Sequence, residues 1–473
     1  MSHIKFGTDG WRAVMARDFT FENVRLVSQA IADFVQTHGQ PNRGIVIGYD
    51  NRFLSEHFAR AVAEVLVGND IPVFFPDKAL PTPVTAFTIR MKQAAGAVMI
   101  TASHNPPEYN GIKFIPEYAG PALPDITNVI EENVRRLEQG AAIKERPLTE
   151  AQEKGMVTSI DPFRHYLKHL RQLVDMETVR KARLKVVVDP MFGAGIGYLE
   201  RVLEEAGCEV HVIHSHRDPL FGGNLPEPSD KVLGELKEKV RSKRAHLGLA
   251  LDGDADRFGV IDSNGEFIPA NQFLSLLFHH LLERRGLRGS VARSVATTHM
   301  LDRIAGWYGV GVEETPVGFK YIGQSLLERG SILGGEESGG LSIQGHVPEK
   351  DGILAAALAA EMVATWGYSL SQALSELETQ FGRIANERMD IHCTVEAKER
   401  ILEMSPMWRP NQLGGMKVID KITVDGCKFL LSDGSWALIR PSGTEPLFRL
   451  YVETFDRETL RRIQGEVRGC LGI

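Results

Sequence analysis

Three segments of the chain share one order of hydrophobic and polar positions: an apolar run, a turn, an amphipathic stretch, a glycine and a second apolar run. Each segment predicts a strand, a helix and a strand, at 44–48, 56–67 and 71–75, at 184–188, 197–206 and 209–213, and at 291–297, 300–308 and 310–313. Nearly continuous Val and Ile runs that alternate with helices are typical of mixed, largely parallel sheets covered on both faces. The pattern predicts three related α/β domains.

The C-terminal stretch has a different pattern. Its apolar runs are short and precede a single helix, at 417–424, 429–432, 436–440 and 448–454. Such spacing predicts a smaller α+β domain with an antiparallel sheet. Polar connectors near 145–159, 268–271 and 382–388 divide the chain into domains that we place at 1–155, 156–265, 266–382 and 383–473.

Composition narrows the function classes. Of the 473 residues, 43% are hydrophobic and 24% charged, and the net charge of −7 comes from intermixed signs, so the chain has no basic footprint for nucleic acid. The longest apolar stretch, 353–360, is far shorter than the roughly 18 residues of a membrane span. Asp9 and Arg12 interrupt the N-terminus where a signal peptide needs an apolar core. We therefore expect a cytoplasmic protein that contacts neither nucleic acid nor membrane.

One loop, Asp252-Gly253-Asp254-Ala255-Asp256-Arg257, lies between two apolar runs. Its three carboxylates repel one another unless a cation joins them, and a site of oxygen ligands suits Mg²⁺. A calcium EF-hand needs Gly and Glu at the sixth and twelfth loop positions, where this chain has Arg257 and Ser263. The loop predicts a magnesium site, with a solvated acidic turn as the alternative.

A second loop, Thr101-Ala102-Ser103-His104-Asn105-Pro106, follows the apolar run 95–100. Ser103 is a candidate nucleophile, yet no GxSxG sequence surrounds it. On an extended backbone the adjacent His104 would point away from Ser103. A Ser-His-Asp hydrolase is therefore not indicated, and an ordinary polar turn is the alternative.

Two further loops have residues suited to a sugar phosphate. The glycines of 334–340 surround Glu336, Glu337 and Ser338, whose oxygens can bind sugar hydroxyls; a flexible surface loop is the alternative. The loop 440–446, Arg-Pro-Ser-Gly-Thr-Glu-Pro, offers a guanidinium fork, hydroxyls and backbone N–H groups to a phosphate. A GxxxxGK[ST] sequence is missing, which argues against a nucleoside triphosphatase.

With these four loops in this order, and with Gly7-Thr8-Asp9-Gly10-Trp11-Arg12 before them, the chain resembles the α-D-phosphohexomutase family. The resemblance implies four domains around a central cleft and a Mg²⁺-dependent phosphoryl transfer to and from a serine. It implies these roles: phosphoserine, Ser103; Mg²⁺ ligands, Ser103, Asp252, Asp254 and Asp256; sugar contacts, Glu336 and Ser338; distal phosphate, Arg440, Ser442, Gly443 and Thr444; positive or proton-handling groups, Arg12, His104, Lys113 and Arg257.

Two lysines have alternative interpretations. The resemblance makes Lys113 the base that takes the proton of the attacking sugar hydroxyl, which requires surroundings that lower its pKa; by sequence alone it is a surface lysine. Lys320 faces the cleft as a substrate contact, or is an ordinary solvated lysine.

The substrate follows from the sugar loop. Glu336-Glu337-Ser338 resembles the glucose-type members of the family, and Gly340 stands where the mannose and glucosamine patterns often have His. We therefore expect a phosphoglucomutase that interconverts glucose 1-phosphate and glucose 6-phosphate through glucose 1,6-bisphosphate, as a monomer or homodimer. The alternatives are a phosphomannomutase, a phosphoglucosamine mutase and, more remotely, a metal-dependent serine phosphatase or a non-catalytic sugar-phosphate binder.

Overall fold

Residues up to Ile160 form a first unit around a six-stranded sheet in the computed structural model, which describes residues 4–7, 9–404, 407–441 and 447–471. Its strands are β1 (Trp11–Val14), β2 (Ile45–Tyr49), β3 (Val73–Pro76), β4 (Gly96–Ile100), β5 (Tyr109–Pro116) and β6 (Val157–Ile160). Its helices are α1 (Phe21–His38), α2 (Ser55–Gly68), α3 (Thr82–Lys92), α4 (Pro124–Leu137) and α5 (Leu148–Glu153). The sheet order is β1-β5-β4-β2-β3-β6, parallel from β4 to β6.

The second unit has a five-stranded sheet of order β11-β10-β9-β7-β8. Its strands are β7 (Lys185–Asp189), β8 (Glu209–Val212), β9 (Leu247–Leu251), β10 (Phe258–Asp262) and β11 (Phe267–Ile268). Its helices are α6 (Phe163–Leu173), α7 (Met176–Ala182), α8 (Leu199–Glu205) and α9 (Gly234–Lys243). The predicted strand, helix and strand from 184 to 213 become β7, α8 and β8, with β7 and β8 parallel.

The third unit has a four-stranded sheet of order β13-β12-β14-β15. Its strands are β12 (Val291–Ser294), β13 (Val312–Thr315), β14 (Leu333–Gly335) and β15 (Leu341–Ile343). Its helices are α10 (Ala270–Glu283), α11 (Met300–Tyr308), α12 (Phe319–Glu328), α13 (Gly352–Trp366) and α14 (Leu370–Phe381). Strand β12 is parallel to both β13 and β14, as an α/β unit requires.

The fourth unit is antiparallel throughout its sheet, in the order β16-β21-β20-β19-β18-β17. Its strands are β16 (Ala385–His392), β17 (Gln412–Leu413), β18 (Met416–Ile422), β19 (Cys427–Leu431), β20 (Trp436–Pro441) and β21 (Leu447–Thr454). Its helices are α15 (Val395–Met404) and α16 (Arg457–Leu471). The predicted fold class, three mixed α/β units and a smaller antiparallel one, is confirmed.

The polar connectors are where prediction and structure differ. Residues 385–388, interpreted as a connector, are the start of β16, and β6 and α5 lie within the connector at 145–159. The sequence analysis missed β16 because the side chains of this strand are mostly exposed and polar, without an apolar pattern. The strand is stabilised by backbone pairing with β21. Strand β6 lies after the predicted boundary at 155 but pairs with the sheet of the first unit, and β11 lies after the boundary at 265 but pairs with the sheet of the second unit. The division into four domains stays a proposal.

Helix α13 joins the second and third units. Apart from Glu361 its residues from Gly352 to Val363 are apolar, and they are buried against α7, α8, β9 and β10 of the second unit. One continuous hydrophobic core extends from Val46 in the first unit to Leu377 in the third. Among the described residues no single helix is long and apolar enough to cross a membrane; α13 and α14, bent by 76°, meet that test only as a pair.

Candidate active site

Ser103 lies on a tightly held loop after β4. Its backbone adopts φ of +50°, a left-handed conformation that is uncommon for a residue with a side chain, and only 1% of its surface is exposed. The Ser103 hydroxyl donates to Asp252 Oδ2 at 2.8 Å. This bond joins the first unit to the second and brings together the predicted nucleophile and a predicted metal ligand.

Arg52, a residue that the sequence analysis did not identify, stabilises this loop. Its guanidinium is fully buried and donates to the carbonyl oxygens of Ser103 at 2.6 Å and Asn105 at 2.7 Å, while Asp50 lies 3.2 Å from Nε. Arg52 therefore helps to hold the loop in the conformation in which Ser103 has its positive φ.

The expectation that His104 points away from Ser103 is wrong. Its Nδ1 lies 3.3 Å from Ser103 Oγ, because the left-handed residue between strand and loop turns both side chains to one side. The nearby Arg257 guanidinium, together with burial and Arg12, lowers the pKa of His104 well below its usual value. The lowered pKa favours the uncharged imidazole beside the nucleophile.

The three aspartates of the second unit form one cluster. Asp252, Asp254 and Asp256 are fully buried in the loop between β9 and β10, with one ligand oxygen from each within 4.8 Å of the others. Burial and repulsion from Asp254 and Asp256 raise the pKa of Asp252 well above its usual value. This is the mutual repulsion on which the sequence-based magnesium prediction depends.

Two oxygens in the cluster fit a cation. Within the described residues, Asp254 Oδ1 and Asp256 Oδ1 are buried and accept no hydrogen bond. Buried carboxylate oxygens without partners are costly, and hard oxygen donors are the ligands that Mg²⁺ prefers. The donor set therefore fits Mg²⁺.

Two buried lysines face the same aspartates. Lys113 Nζ, predicted as a surface group by sequence alone, is 2% exposed and lies 2.9 Å from Asp254, 3.2 Å from Asp256 and 2.9 Å from Asp9. Burial opposes its charge, but Asp254 and Asp9 outweigh burial and raise its pKa above the usual value. The surroundings thus do not lower the pKa of Lys113, contrary to the requirement stated for a base.

Lys350 is the second lysine, and no sequence pattern beyond an acidic neighbour pointed to it. Its Nζ lies 3.1 Å from Asp9, 3.2 Å from Asp256 and 3.5 Å from Glu349. Although burial opposes its charge, Asp256 and Asp9 raise the pKa of Lys350 well above its usual value. Asp9, from the N-terminal motif, therefore lies between two ammonium groups.

The remaining cationic predictions lie around this cluster. Arg12 donates to Asn105 Oδ1 at 2.8 Å, on the serine loop. Arg257 lies 4.0 Å from both Glu227 and Asp256. Lys320 is half-buried, and burial lowers its pKa while the charge of Asp9 opposes that shift. Its role as a substrate contact stays a prediction.

The sugar loop lies in the third unit, between β14 and β15. Glu336 is 6% exposed and accepts from the Gly318 N–H at 2.8 Å, while burial and the charge of Glu337 raise its pKa to about 7. Ser338 is half-buried beside it. Glu336 therefore presents a carboxylate that changes charge near neutral pH.

The structure describes only part of the predicted phosphate loop. Arg440 is the last residue but one of β20 and donates through Nε to Asp425 Oδ2 at 2.7 Å. Asp425 Oδ2 also accepts from the Val317 N–H at 3.1 Å, which ties this loop to the third unit. Ser442, Gly443 and Thr444 lie outside the described residues.

A buried serine bonded to one of three clustered aspartates, on α/β units that share a core, is the arrangement of a metal-assisted phosphoryl-transfer enzyme. Models of the phosphoglucomutase/phosphomannomutase family match the chain throughout: α/β/α domain I at 3–141, domain II at 164–265, domain III at 269–381 and the C-terminal domain at 390–469. The chain belongs to this Mg²⁺-dependent family and is a phosphohexomutase, an isomerase that moves a phosphoryl group within its substrate. The predicted resemblance is confirmed.

Related proteins carry more than one substrate name. A phosphoglucomutase/phosphomannomutase of Thermococcus kodakarensis is 32% identical over 96% of both chains. A probable phosphoglucosamine mutase of Methanothermobacter thermautotrophicus is 33% identical, covering 98% of this chain and 97% of its own. A crystal structure from Thermus thermophilus aligns over all of both chains with 33% identity and a TM-score of 0.85. These likenesses establish the family and leave the sugar open.

Proposed function

We propose that this phosphohexomutase interconverts glucose 1-phosphate and glucose 6-phosphate through phosphorylated Ser103 and a glucose 1,6-bisphosphate intermediate. The bond of 2.8 Å between Ser103 Oγ and Asp252 Oδ2 carries the proposal, because it puts the nucleophile beside the aspartate cluster. Arg12, on β1, donates to Asn105 of the serine loop, and Arg257 follows Asp256 directly, so both guanidinium groups are candidates to stabilise a phosphoryl group on Ser103.

The proposed reaction is a pair of transfers. The phosphoryl group leaves Ser103 Oγ as a sugar hydroxyl attacks. The hydroxyl proton passes to His104, whose Nδ1 lies 3.3 Å from Ser103 Oγ and returns a proton to the departing serine oxygen. Lys113, the base that the resemblance implies, is the alternative acceptor only after it has lost a proton, because Asp254 and Asp9 raise its pKa. The bisphosphate then turns end for end, and Ser103 takes the phosphoryl group from the other position. Mg²⁺ bound by the aspartates would neutralise the charge that spreads over the phosphoryl oxygens. Catalysis then depends on positioning rather than on covalent chemistry by further residues.

The second phosphate needs a site of its own. In the proposal it is held by Arg440 with Ser442, Gly443 and Thr444, while Glu336, Ser338 and Lys320 bind the sugar. Glu336 as a carboxylate accepts hydrogen bonds from hydroxyls in either orientation of the sugar. A second anion site is what separates a mutase from a serine phosphatase, which would release phosphate to water.

Gly340 supports glucose over mannose and glucosamine. A Cβ built at residue 340 would lie 2.5 Å from Lys350 Cδ, so no side chain fits there unless Lys350 moves. The mannose and glucosamine patterns often have His at this position. The glucosamine alternative is supported in turn by the name of the Methanothermobacter relative.

Intact mass analysis tests the nucleophile. After treatment with glucose 1,6-bisphosphate and Mg²⁺, the wild-type chain should gain one phosphoryl group, mapped to Ser103 by peptide sequencing. The Ser103→Ala variant should gain none and should have lost mutase activity. A wild-type chain that gains no phosphoryl group contradicts the phosphoserine mechanism.

A substrate panel tests the sugar. Values of kcat/KM are measured for glucose 1-phosphate, mannose 1-phosphate and glucosamine 1-phosphate, each with its own bisphosphate. We expect the glucose substrate to lead, and a Gly340→His variant to lose activity on all three because Lys350 is displaced. A higher kcat/KM for glucosamine 1-phosphate would move the assignment to the phosphoglucosamine mutases. The cytoplasmic location and the monomer or homodimer state remain part of the proposal.

A further inference from the structure

In two carboxylates of the metal loop, Asp254 and Asp256, one oxygen is bound by neighbouring side chains and the other accepts no hydrogen bond from the described residues. Asp254 Oδ2 accepts from the Thr82 hydroxyl at 2.6 Å and from Lys113 Nζ at 2.9 Å. Asp254 Oδ1, also buried, accepts no hydrogen bond within the described part of the chain. One oxygen is thus held by the protein, and the other is left without a hydrogen-bond donor among the described residues.

The two oxygens of Asp256 differ in the same way. Its Oδ2 lies 3.2 Å from the ammonium groups of both Lys113 and Lys350. Its Oδ1 is buried and, among described residues, accepts no hydrogen bond. Arg257 Nε lies 4.0 Å from Asp256 Oδ1, beyond hydrogen-bond distance. Each of the two neighbouring aspartates thus has one buried oxygen that accepts no hydrogen bond from the described residues, which indicates a missing ligand.

Thr82 reaches this loop from the first unit. It is the first residue of α3, is completely buried, and makes two bonds to the same aspartate: its hydroxyl to Asp254 Oδ2 and its N–H to Asp254 O at 2.9 Å. The two residues are 172 positions apart in the chain. A buried hydroxyl with one strong acceptor fixes the rotation of that carboxylate.

We propose that Thr82 is a positioning residue for the cation site, which orients Asp254 so that Oδ1 points at Mg²⁺. This inference rests on the proposed role of the three aspartates as metal ligands. Without the hydroxyl, the Asp254 carboxylate keeps Lys113 as its remaining donor and can rotate to offer it either oxygen. The cation then competes with Lys113 for Oδ1.

The test is a titration of the full-length protein with Mn²⁺ in the absence of sugar, with free Mn²⁺ followed by electron paramagnetic resonance. Thr82→Val keeps the shape of the side chain and removes the donor, so the Kd should rise by about 10–100-fold, the usual effect of losing a group that orients a metal ligand. Thr82→Ser keeps the donor and should bind nearly as the wild type does.

Thr88→Val is the matched control. Thr88 lies on the same helix, is equally buried, and its hydroxyl donates within that helix, to Val84 O at 2.7 Å. It should leave the Kd unchanged. An equal loss of Mn²⁺ binding in Thr88→Val would overturn the proposal, because damage to α3 would then explain the effect.

Asp254→Asn separates this proposal from the metal site itself. Loss of Mn²⁺ binding in Asp254→Asn with wild-type binding in Thr82→Val overturns the role of Thr82 alone. Wild-type binding in both variants overturns the assignment of the aspartates. If Thr82→Val does not fold, as judged by thermal unfolding in EDTA, Thr82→Ala is titrated with the same expectation, and a wild-type Kd there overturns the proposal.

Discussion

The joint between the first and second units differs in kind from the joint between the third and fourth. The first is continuous hydrophobic core, crossed by buried bonds such as Ser103 to Asp252 and Thr82 to Asp254. At the other joint the fourth unit keeps a core of its own and meets the third through a small cluster built on Val295, Ala296 and Trp436. The chemical centre therefore lies on a joint of shared core, the fixed joint. Arg440 lies on the fourth unit, and we expect the smaller joint between the third and fourth units to be the adjustable one.

Charged groups complete the second joint. Lys428 of the fourth unit is 1% exposed and donates to Glu314 at 2.7 Å and contacts His299 Nε2 at 2.8 Å, both in the third unit. Burial, reinforced by Arg293, lowers the pKa of Lys428 to about 8. His299, whose N–H donates to Glu453 at 2.8 Å, thereby gains the role that its sequence did not suggest: it joins the two units.

The largest effect is expected at the fixed joint. Asp254→Ala removes one ligand and leaves Asp252 and Asp256 repelling each other, so kcat should fall by about 10²–10³-fold while the chain stays folded. The comparison needs thermal unfolding beside the kinetics, with the exposed Asp230→Ala of the same unit as control. Near-normal turnover in Mg²⁺ would exclude this loop as the metal site.

Arg440→Ala tests the adjustable joint. A charge-assisted phosphate contact acts on bound substrate and transition state alike, so KM for the monophosphate should rise by about 10–100-fold with kcat less affected. Arg440→Lys keeps the charge without the planar fork and should fall between the two. A fall in kcat at constant KM would mean that the loop does not hold the distal phosphate.

Glu336, in the third unit, should give a smaller effect on kcat/KM, and this effect should depend on pH. With a pKa raised to about 7, its carboxylate is ionised above that pH and takes up a proton below it. If only the ionised form binds sugar hydroxyls, kcat/KM should drop by about tenfold from pH 8 to pH 6. Glu336→Gln should be weak at every pH and lose this acid limb, leaving only titration of the substrate phosphate. An unchanged acid limb in the variant would assign it to another group.

The elements that could be predicted from the sequence are those that continuous runs of apolar residues determine. The apolar runs beside Asp252 and Ser103 became β9, β10 and β4, and the loops between them bring these two residues together. Arg52, Thr82 and Lys350 escaped because each is a single polar residue in an ordinary context whose partners lie far away along the chain. Their burial comes from tertiary packing, which no local pattern records.

The smallest expected effect is a change in size. If substrate draws the phosphate loop toward Ser103, a non-transferable sugar bisphosphate should reduce the radius of gyration by roughly 1 Å or less, against about 23 Å for a compact chain of this length. Small-angle scattering with and without the ligand measures this change. Arg440→Ala, at saturating ligand, should bind without compaction because the contact that pulls the fourth unit inward is gone. Replacing the joint charges in Glu314→Gln and Lys428→Met should leave the compaction intact, since the phosphate contact drives it rather than the joint. A radius of gyration that stays constant in the wild type while the ligand binds tightly would show that both joints are equally fixed.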